Sequence, residues 1–221
     1  MTGDLRSVLI VEDDALLREL LAVALEQHGF GVETAASASD ARRLFTRGDH
    51  DAIVMDVNLG PGPTGFDVAE AILEKAPHTA IVFLTNLPDP RFAETDAQGL
   101  PRGVAYLRKS NLSDVNTLVA ALDAALRGTN VDAFRHDRDP NRPLGNLTKK
   151  QIKVLQLAAA GKTNAQIAEE RGVSVKAVED TIARAGRALG VHETNEGNIR
   201  VAIVRRFLQV TNGSASVTMA G

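Results

Sequence analysis

The chain is 221 residues long, more than one average domain and comfortable as two. It contains neither cysteine nor tryptophan, which excludes disulfides, thiolate metal sites and a cysteine nucleophile and leaves the core to Ala, Val, Leu and Ile. Its net charge of −3 hides an asymmetry: residues 1–128 carry 11 Lys/Arg against 19 Asp/Glu, residues 129–143 balance, and residues 144–221 carry 11 basic against 6 acidic groups. An acidic first half and a basic second half suit a regulatory module joined to one that binds a polyanion; a chance excess on a solvated surface is the alternative. Met1 to Ser7 holds no basic n-region and the apolar run 8–11 is too short for a signal or membrane helix, so a cytoplasmic address is expected, with no membrane partner.

The first half alternates buried strands with amphipathic helices. Val8 to Val11 is a short continuous apolar run, as a strand covered on both faces should be. Residues 14–28 carry Leu16, Leu17, Leu20, Leu21, Val23 and Ala24 at helical spacing, and Gly29 ends that helix. A weaker strand over 32–35 and a short helix over 37–45 follow. Residues 52–55 form the next strand and run directly into Asp56. Helix is predicted over 66–75, strand over 80–84 and again over 104–107, and a last helix, capped by Ser113, runs through 126 and closes at Gly128. Five β-α repeats predict a parallel sheet with helices on both faces. The fourth unit is irregular: Pro88, Pro90, Gly99 and Pro101 leave room only for a short helix over 91–97.

Residues 129–144, with Pro140, Pro143 and alternating Arg and Asp, read as a linker between a domain over 1–128 and a second over 145–210. The second domain is all helix. Thr148 with Gln151 and Thr163 with Gln166 form two capping boxes that open helices near 149–160 and 164–171. Gly172 and Val173 make a tight turn, Ser174 caps a third helix to about Leu189, and a fourth is predicted over 196–210. The Gly/Ser/Ala/Thr-rich tail 211–221 is expected to fray.

Glu12, Asp13 and Asp14 follow the first strand, and Asp56 follows the third. Strand C-termini of an open parallel sheet gather at one edge, where ligands bind at the switch point of the strand order. Carboxylates gathered there raise one another's pKa values unless a cation neutralises them, and Mg²⁺ is the expected partner because hard divalent ions take oxygen ligands. Asp14 is better read as a helix cap. Thr85 and Lys109 also lie at strand ends, where a hydroxyl and an ammonium can meet phosphoryl oxygens.

The strings Val11-Glu12-Asp13-Asp14, Val54-Met55-Asp56-Val57-Asn58, Phe83-Leu84-Thr85 and Ala105-Tyr106-Leu107-Arg108-Lys109 resemble the receiver domain of two-component response regulators over residues 5–127. The resemblance implies a flavodoxin-like α/β fold with a five-stranded parallel sheet and phosphoryl transfer from a histidine kinase to Asp56. It also implies Mg²⁺ held by Asp13, Asp56 and the Asn58 carbonyl with Glu12 assisting, Thr85 and Lys109 on the phosphoryl group, and Tyr106 as an aromatic switch that turns inward as Thr85 moves. Asn58 stands where aspartate-nucleophile phosphatases carry a second Asp, and it cannot abstract a proton, so a persistent switch rather than a turnover enzyme is expected. Three features depart from the family: the bulkier Asn86 after Thr85, Ser110 in place of a frequent proline, and the Pro-rich segment in place of the usual fourth helix.

The run 147–161, followed by Thr163-Asn164-Ala165-Gln166-Ile167-Ala168 and Val173-Ser174-Val175-Lys176-Ala177-Val178, resembles the LuxR-type helix-turn-helix over residues 145–209. With a receiver in front, the chain resembles the NarL/FixJ family of transcription factors, which implies double-stranded DNA as partner, a recognition helix over 174–189 in the major groove, and a homodimer at least when phosphorylated. On that helix Val178, Ile182, Ala185 and Leu189 recur at core spacing, while Lys176, Glu179, Asp180, Ala183, Arg184 and Arg187 face outward. Lys176, Arg184 and Arg187 suit phosphate contacts, supported by Lys149, Lys150, Lys153 and Lys162. Glu179 and Asp180 are acidic where the family carries basic or amide side chains: they either accept hydrogen bonds from cytosine amino groups or mark a module given over to protein contacts. Ile199, Ala202, Ile203, Phe207 and Leu208 on the fourth helix serve either a dimer interface or the core alone.

Overall fold

A computed structural model describes residues 5–93, 100–101, 103–138, 144–191 and 198–211. The chain separates into two compact units, 1–137 and 138–221. In the first, strands β1 (Ser7–Val11), β2 (Gly31–Ala35), β3 (Ala52–Met55), β4 (Ala80–Thr85) and β5 (Ala105–Arg108) pair in parallel in the order β2-β1-β3-β4-β5. Helices α1 (Ala15–Gln27), α2 (Ala38–Arg47), α3 (Gly65–Lys75) and α4 (Val115–Arg127) cover the faces. The strand order reverses between β1 and β3, and this is where the carboxyl-bearing ends meet.

Period-two alternation divides the strand side chains into two cores. Val8, Ile10, Val54, Val82, Leu84 and Leu107 point to one face, against Leu21 and Leu25 of α1 and Leu118 and Leu122 of α4. Leu9, Val11, Ile53, Met55, Phe83 and Tyr106 point to the other, against Ala41 of α2 and Phe66 and Ile72 of α3. Both faces being covered explains why β1, β3 and β4 read as unbroken apolar runs.

Several local details differ from the sequence expectations. The N-cap of α4 is Asp114, whose carboxylate accepts from the Thr117 N–H, and not Ser113. A carboxylate outcompetes a hydroxyl for the amides of a first turn. Helix α2 continues to Arg47 and stops at Gly48. Within the span expected as a short helix over 91–97, the described part is one 3-10 turn, Pro90–Phe92, and residues 94–99 lie outside the described residues. Asp89 organises that turn: its buried carboxylate accepts from the Arg91 N–H at 3.0 Å and from the Arg91 guanidinium at 2.8 and 2.7 Å.

The expected linker over 129–144 needs the largest correction. Val131 is buried in the α1/α4 core and Phe134 packs against it. Arg135 forms a parallel bridge with Tyr106 on the outer edge of β5, and His136 Nδ1 accepts from the Arg108 N–H at 3.2 Å. An open strand edge presents unpaired backbone groups, and this segment covers part of it. The stretch through Asp137 therefore belongs to the first unit. Residues 139–143 lie outside the described residues.

The second unit packs α5 (Lys149–Ala159), α6 (Asn164–Arg171), α7 (Val175–Ala188) and α8 (Ile199–Thr211) together. Both capping boxes close, with Gln151 and Gln166 bonding back to the amides of Thr148 and Thr163. Gly172, at φ +61, makes the left-handed turn between α6 and α7 that a side chain would strain. The starting point expected for the fourth helix, Glu196, and the tail 212–221 lie outside the described residues.

One glycine bears directly on the sheet edge. A Cβ on Gly65 would stand 2.0 Å from the Asp56 carbonyl oxygen and 2.9 Å from Met55 Cγ, so α3 can start there only without a side chain. Gly65→Ala is expected to lower stability by about 2 kcal/mol or more, read as a shifted denaturant midpoint; an unchanged midpoint contradicts the close approach.

Candidate functional site

The site is assembled by backbone before any side chain acts. The Asp56 N–H donates to the Val11 carbonyl at 2.8 Å, extending the β1–β3 ladder by one rung past the end of β3. The Glu12 N–H likewise donates to the Ala35 carbonyl at 3.1 Å, tying the end of β1 to β2. In α1, Arg18 reaches back and donates from Nη1 to the Glu12 carbonyl at 2.7 Å and the Asp13 carbonyl at 3.3 Å. Asp14 is the N-cap of α1, accepting from the Leu17 N–H at 3.0 Å, as its position suggested.

These constraints bring ligand oxygens of Glu12, Asp13 and Asp56 within 4.8 Å of one another, a group that could hold a metal ion. Glu12 and Asp56 are buried and Asp13 is exposed, so the cluster opens to solvent on one side. Lys109, just past β5, places its ammonium 2.7 Å from Glu12 Oε2 and 2.7 Å from Asp56 Oδ2. The second Asp56 oxygen, Oδ1, accepts from the Asn58 N–H at 3.2 Å. The nucleophile candidate is thus held at both oxygens.

Burial raises the Glu12 pKa, and the neighbouring Asp56 charge raises it further, against the hydrogen bond and charge of Lys109. For Lys109, burial works against the ammonium, but the bonds and charges of Asp56 and Glu12 prevail and lift its pKa above the usual lysine value. The lysine therefore stays cationic, the state needed to offset two carboxylates.

Thr85 and Tyr106 lie in this unit beyond the acidic cluster. Thr85 ends β4, is fully buried, and its hydroxyl oxygen accepts from the Leu87 N–H at 3.3 Å. Tyr106 is fully buried with its ring on the α2/α3 face, and its hydroxyl donates to the Leu87 carbonyl at 2.8 Å. Its pKa is pushed up by burial and then by Asp89 and Asp137, so the phenol is a neutral donor. Thr85 and Tyr106 thus grip the two sides of one residue, Leu87.

In the second unit Lys176, Glu179, Asp180, Ala183, Arg184 and Arg187 are all exposed on α7, whereas Val178, Ile182, Ala185 and Leu189 are buried. Lys176 Nζ lies 3.2 Å from Asp180 Oδ1, one turn away, and Arg184 Nε donates to the Asp180 carbonyl at 3.2 Å. A Cβ on Gly186 would meet Ile203 Cδ1 at 2.5 Å, so α7 and α8 cross closely there. Ile203 and Phe207 are buried at that crossing, while Ile199, Val201 and Leu208 remain exposed on α8.

Sequence reasoning did not single out Arg18, Gly65, Asp89 or the buried Arg135–Asp137 pair, whose guanidinium and carboxylate meet through two 2.7 Å bonds. A signal existed for one of them. Thr64 and Asp67 form a capping box that marks the start of α3 beside Asp56.

Residues 8–123 match the model of the response regulator receiver domain, and residues 145–197 match that of bacterial regulatory proteins of the luxR family. The chain is 29% identical over 188 residues to the oxygen regulatory protein NreC of Staphylococcus haemolyticus (strain JCSC1435), covering 78% of this chain and 85% of that one. It is 27% identical to the transcriptional regulatory protein LiaR of Bacillus subtilis (strain 168), covering 87% of this chain and 94% of the relative. It is also similar in fold to the two-component response regulator RcsB in its DNA complex, with a TM-score of 0.56 and 21% identity over 94% of this chain and 100% of that one. The chain belongs to the response regulators of the NarL/FixJ type, a receiver domain followed by a LuxR-type helix-turn-helix.

Proposed function

We propose that this chain is a transcription regulator switched by phosphoryl transfer from a histidine kinase to Asp56, with α7 reading double-stranded DNA. The observation that carries the proposal is the partly buried Lys109 ammonium, 2.7 Å from both Asp56 and Glu12, inside a chain that matches the receiver family. An Asp56 carboxylate oxygen attacks the phosphorus of a phosphohistidine, the P–N bond breaks, and the imidazole nitrogen leaves and takes a proton. Lys109 and Thr85 then face the new phosphoryl oxygens. Glu12, Asp13 and Asp56, with the Asn58 carbonyl, are the residues that would hold Mg²⁺, whose chemistry is to neutralise phosphoryl charge. Asn58 supplies no general base, so the acyl phosphate outlasts the transfer and acts as a signal rather than a turnover intermediate.

Lys176, Arg184 and Arg187 suit phosphate contacts, and Glu179 and Asp180 sit among them. The Lys176–Asp180 pair tempers the acidic charge, because each partner screens the other along one helix turn. The exposed Val201 and Leu208 on α8 suit a homodimer contact. No described helix is long and apolar enough to cross a membrane. A second reading, a receiver-controlled protein adaptor, is favoured by one observation: Glu179 lies exposed on the outer face of the helix meant for DNA.

Three outcomes test these assignments. Incubation with a small phosphodonor and Mg²⁺ should add one phosphoryl mass to the wild type and none to Asp56→Asn; labelling of the variant removes Asp56 from the role. Lys109→Ala leaves two buried carboxylates without their cation, so the metal-free protein should lose about 3 kcal/mol of stability. Calorimetric titration should at the same time show tighter Mg²⁺ binding, because the ammonium no longer competes for the same oxygens; weaker binding contradicts the arrangement. Finally, Asp180→Asn frees Lys176, so DNA affinity should rise and the slope of log affinity against log salt should steepen by about 1. A salt-independent interaction in both proteins would favour the adaptor.

A further inference from the structure

The segment Val131–Asp137 is built onto the receiver at Tyr106, the residue whose hydroxyl is bonded to the Leu87 carbonyl. Its one parallel bridge pairs Arg135 with Tyr106, and the neighbouring edge amide, Arg108 N–H, is taken by His136 Nδ1. Val131 anchors it in the α1/α4 core. Arg135 and Asp137 form a buried ion pair, 5% and 9% exposed at their side chains. The Asp137 carboxylate is close enough to raise the Tyr106 pKa, as is Asp89 in the turn after β4. The chain leaves for the second unit directly after this point.

We propose that Val131–Asp137 is an output latch, which phosphorylation of Asp56 tightens through Thr85, Leu87 and Tyr106. This rests on the reading of Asp56 as phospho-acceptor and adds the element that carries the signal out of the receiver. The direction follows from the hydrogen bonds. A phosphoryl group on Asp56 supplies acceptor oxygens toward which the Thr85 hydroxyl can donate, while its oxygen still accepts from the Leu87 N–H. A hydroxyl that donates becomes a better acceptor, so Leu87 is held more firmly. The Leu87 carbonyl in turn holds the Tyr106 hydroxyl, and the Tyr106 backbone carries Arg135. The short 3-10 turn after β4 leaves Asp89 and Arg91 paired beside this path. The latch thereby turns a local change in charge into a fixed position for the start of the tether.

The test is hydrogen exchange of the full chain, read by mass on peptides covering residues 129–138, with and without a small phosphodonor and Mg²⁺. Wild type that has gained the phosphoryl mass should exchange roughly three- to tenfold more slowly across 131–137, the effect of strengthening about one hydrogen bond. Tyr106→Phe keeps the ring but loses the bond to Leu87. It should still gain the phosphoryl mass and should lose the slowing. Phosphorylated wild type whose segment exchanges unchanged or faster overturns the latch and leaves the phospho-acceptor reading standing. Equal slowing in Tyr106→Phe overturns the route through Tyr106. Absence of any phosphoryl mass on the wild type overturns the Asp56 reading itself, and the latch with it.

Discussion

A lysine ammonium between two buried carboxylates is the interaction on which the first domain depends. Without a cation, Glu12 and Asp56 would face each other in a site open to solvent on one side only, and burial already pushes the Glu12 pKa upward. Lys109 supplies that cation from the end of β5, at 2.7 Å to each. The ends of β1, β3 and β5 are therefore joined by charge as well as by the sheet. A divalent ion or a phosphoryl group bound at this junction would change which oxygens the ammonium must satisfy. Beyond the junction, Thr85 and Tyr106 are both hydrogen-bonded to the backbone of Leu87.

The route outward differs from what a regular β-α repeat would offer. Where a full fourth helix would pack, the described chain after β4 holds a single 3-10 turn organised by Asp89 and Arg91. The edge of β5 is covered instead by residues that follow α4, held by Arg135, His136 and the core contacts of Val131. The covering segment is the chain's own connection to its helix-turn-helix, which places Arg135 and His136 against the strand that carries Tyr106. On α7, Lys176 lies one turn from Asp180 and offsets part of the acidic charge on the exposed face of that helix.

Much of this was legible in the sequence because the relevant signals are local or periodic. Continuous apolar runs located β1, β3 and β4, and capping residues located α5, α6 and α7 to within a residue or two. The spatial gathering of Glu12, Asp13, Asp56 and Lys109 followed from parallel strands ending at one edge. The rest depends on tertiary contacts with no periodic trace. Residues 131–137 mix Arg and Asp with only Val131 and Phe134 as apolar anchors, so their docking on β5 shows only once the edge exists. Gly65 is an unremarkable glycine until α3 is brought within 2.0 Å of the Asp56 carbonyl oxygen. Arg18 acts through backbone carbonyls, a contact that its own position in α1 does not announce.

On the proposed function, charge added at Asp56 governs what the second domain does. The most direct measurement is the affinity of the full chain for a DNA fragment obtained by selection from random sequence, titrated at fixed salt with and without phosphodonor, for wild type and Asp56→Asn in parallel. Phosphodonor should change the wild-type affinity by about tenfold, a coupling of about 1.4 kcal/mol, and leave the variant unaffected. Wild-type protein that carries the phosphoryl group yet binds the fragment with unaltered affinity would contradict the proposed function.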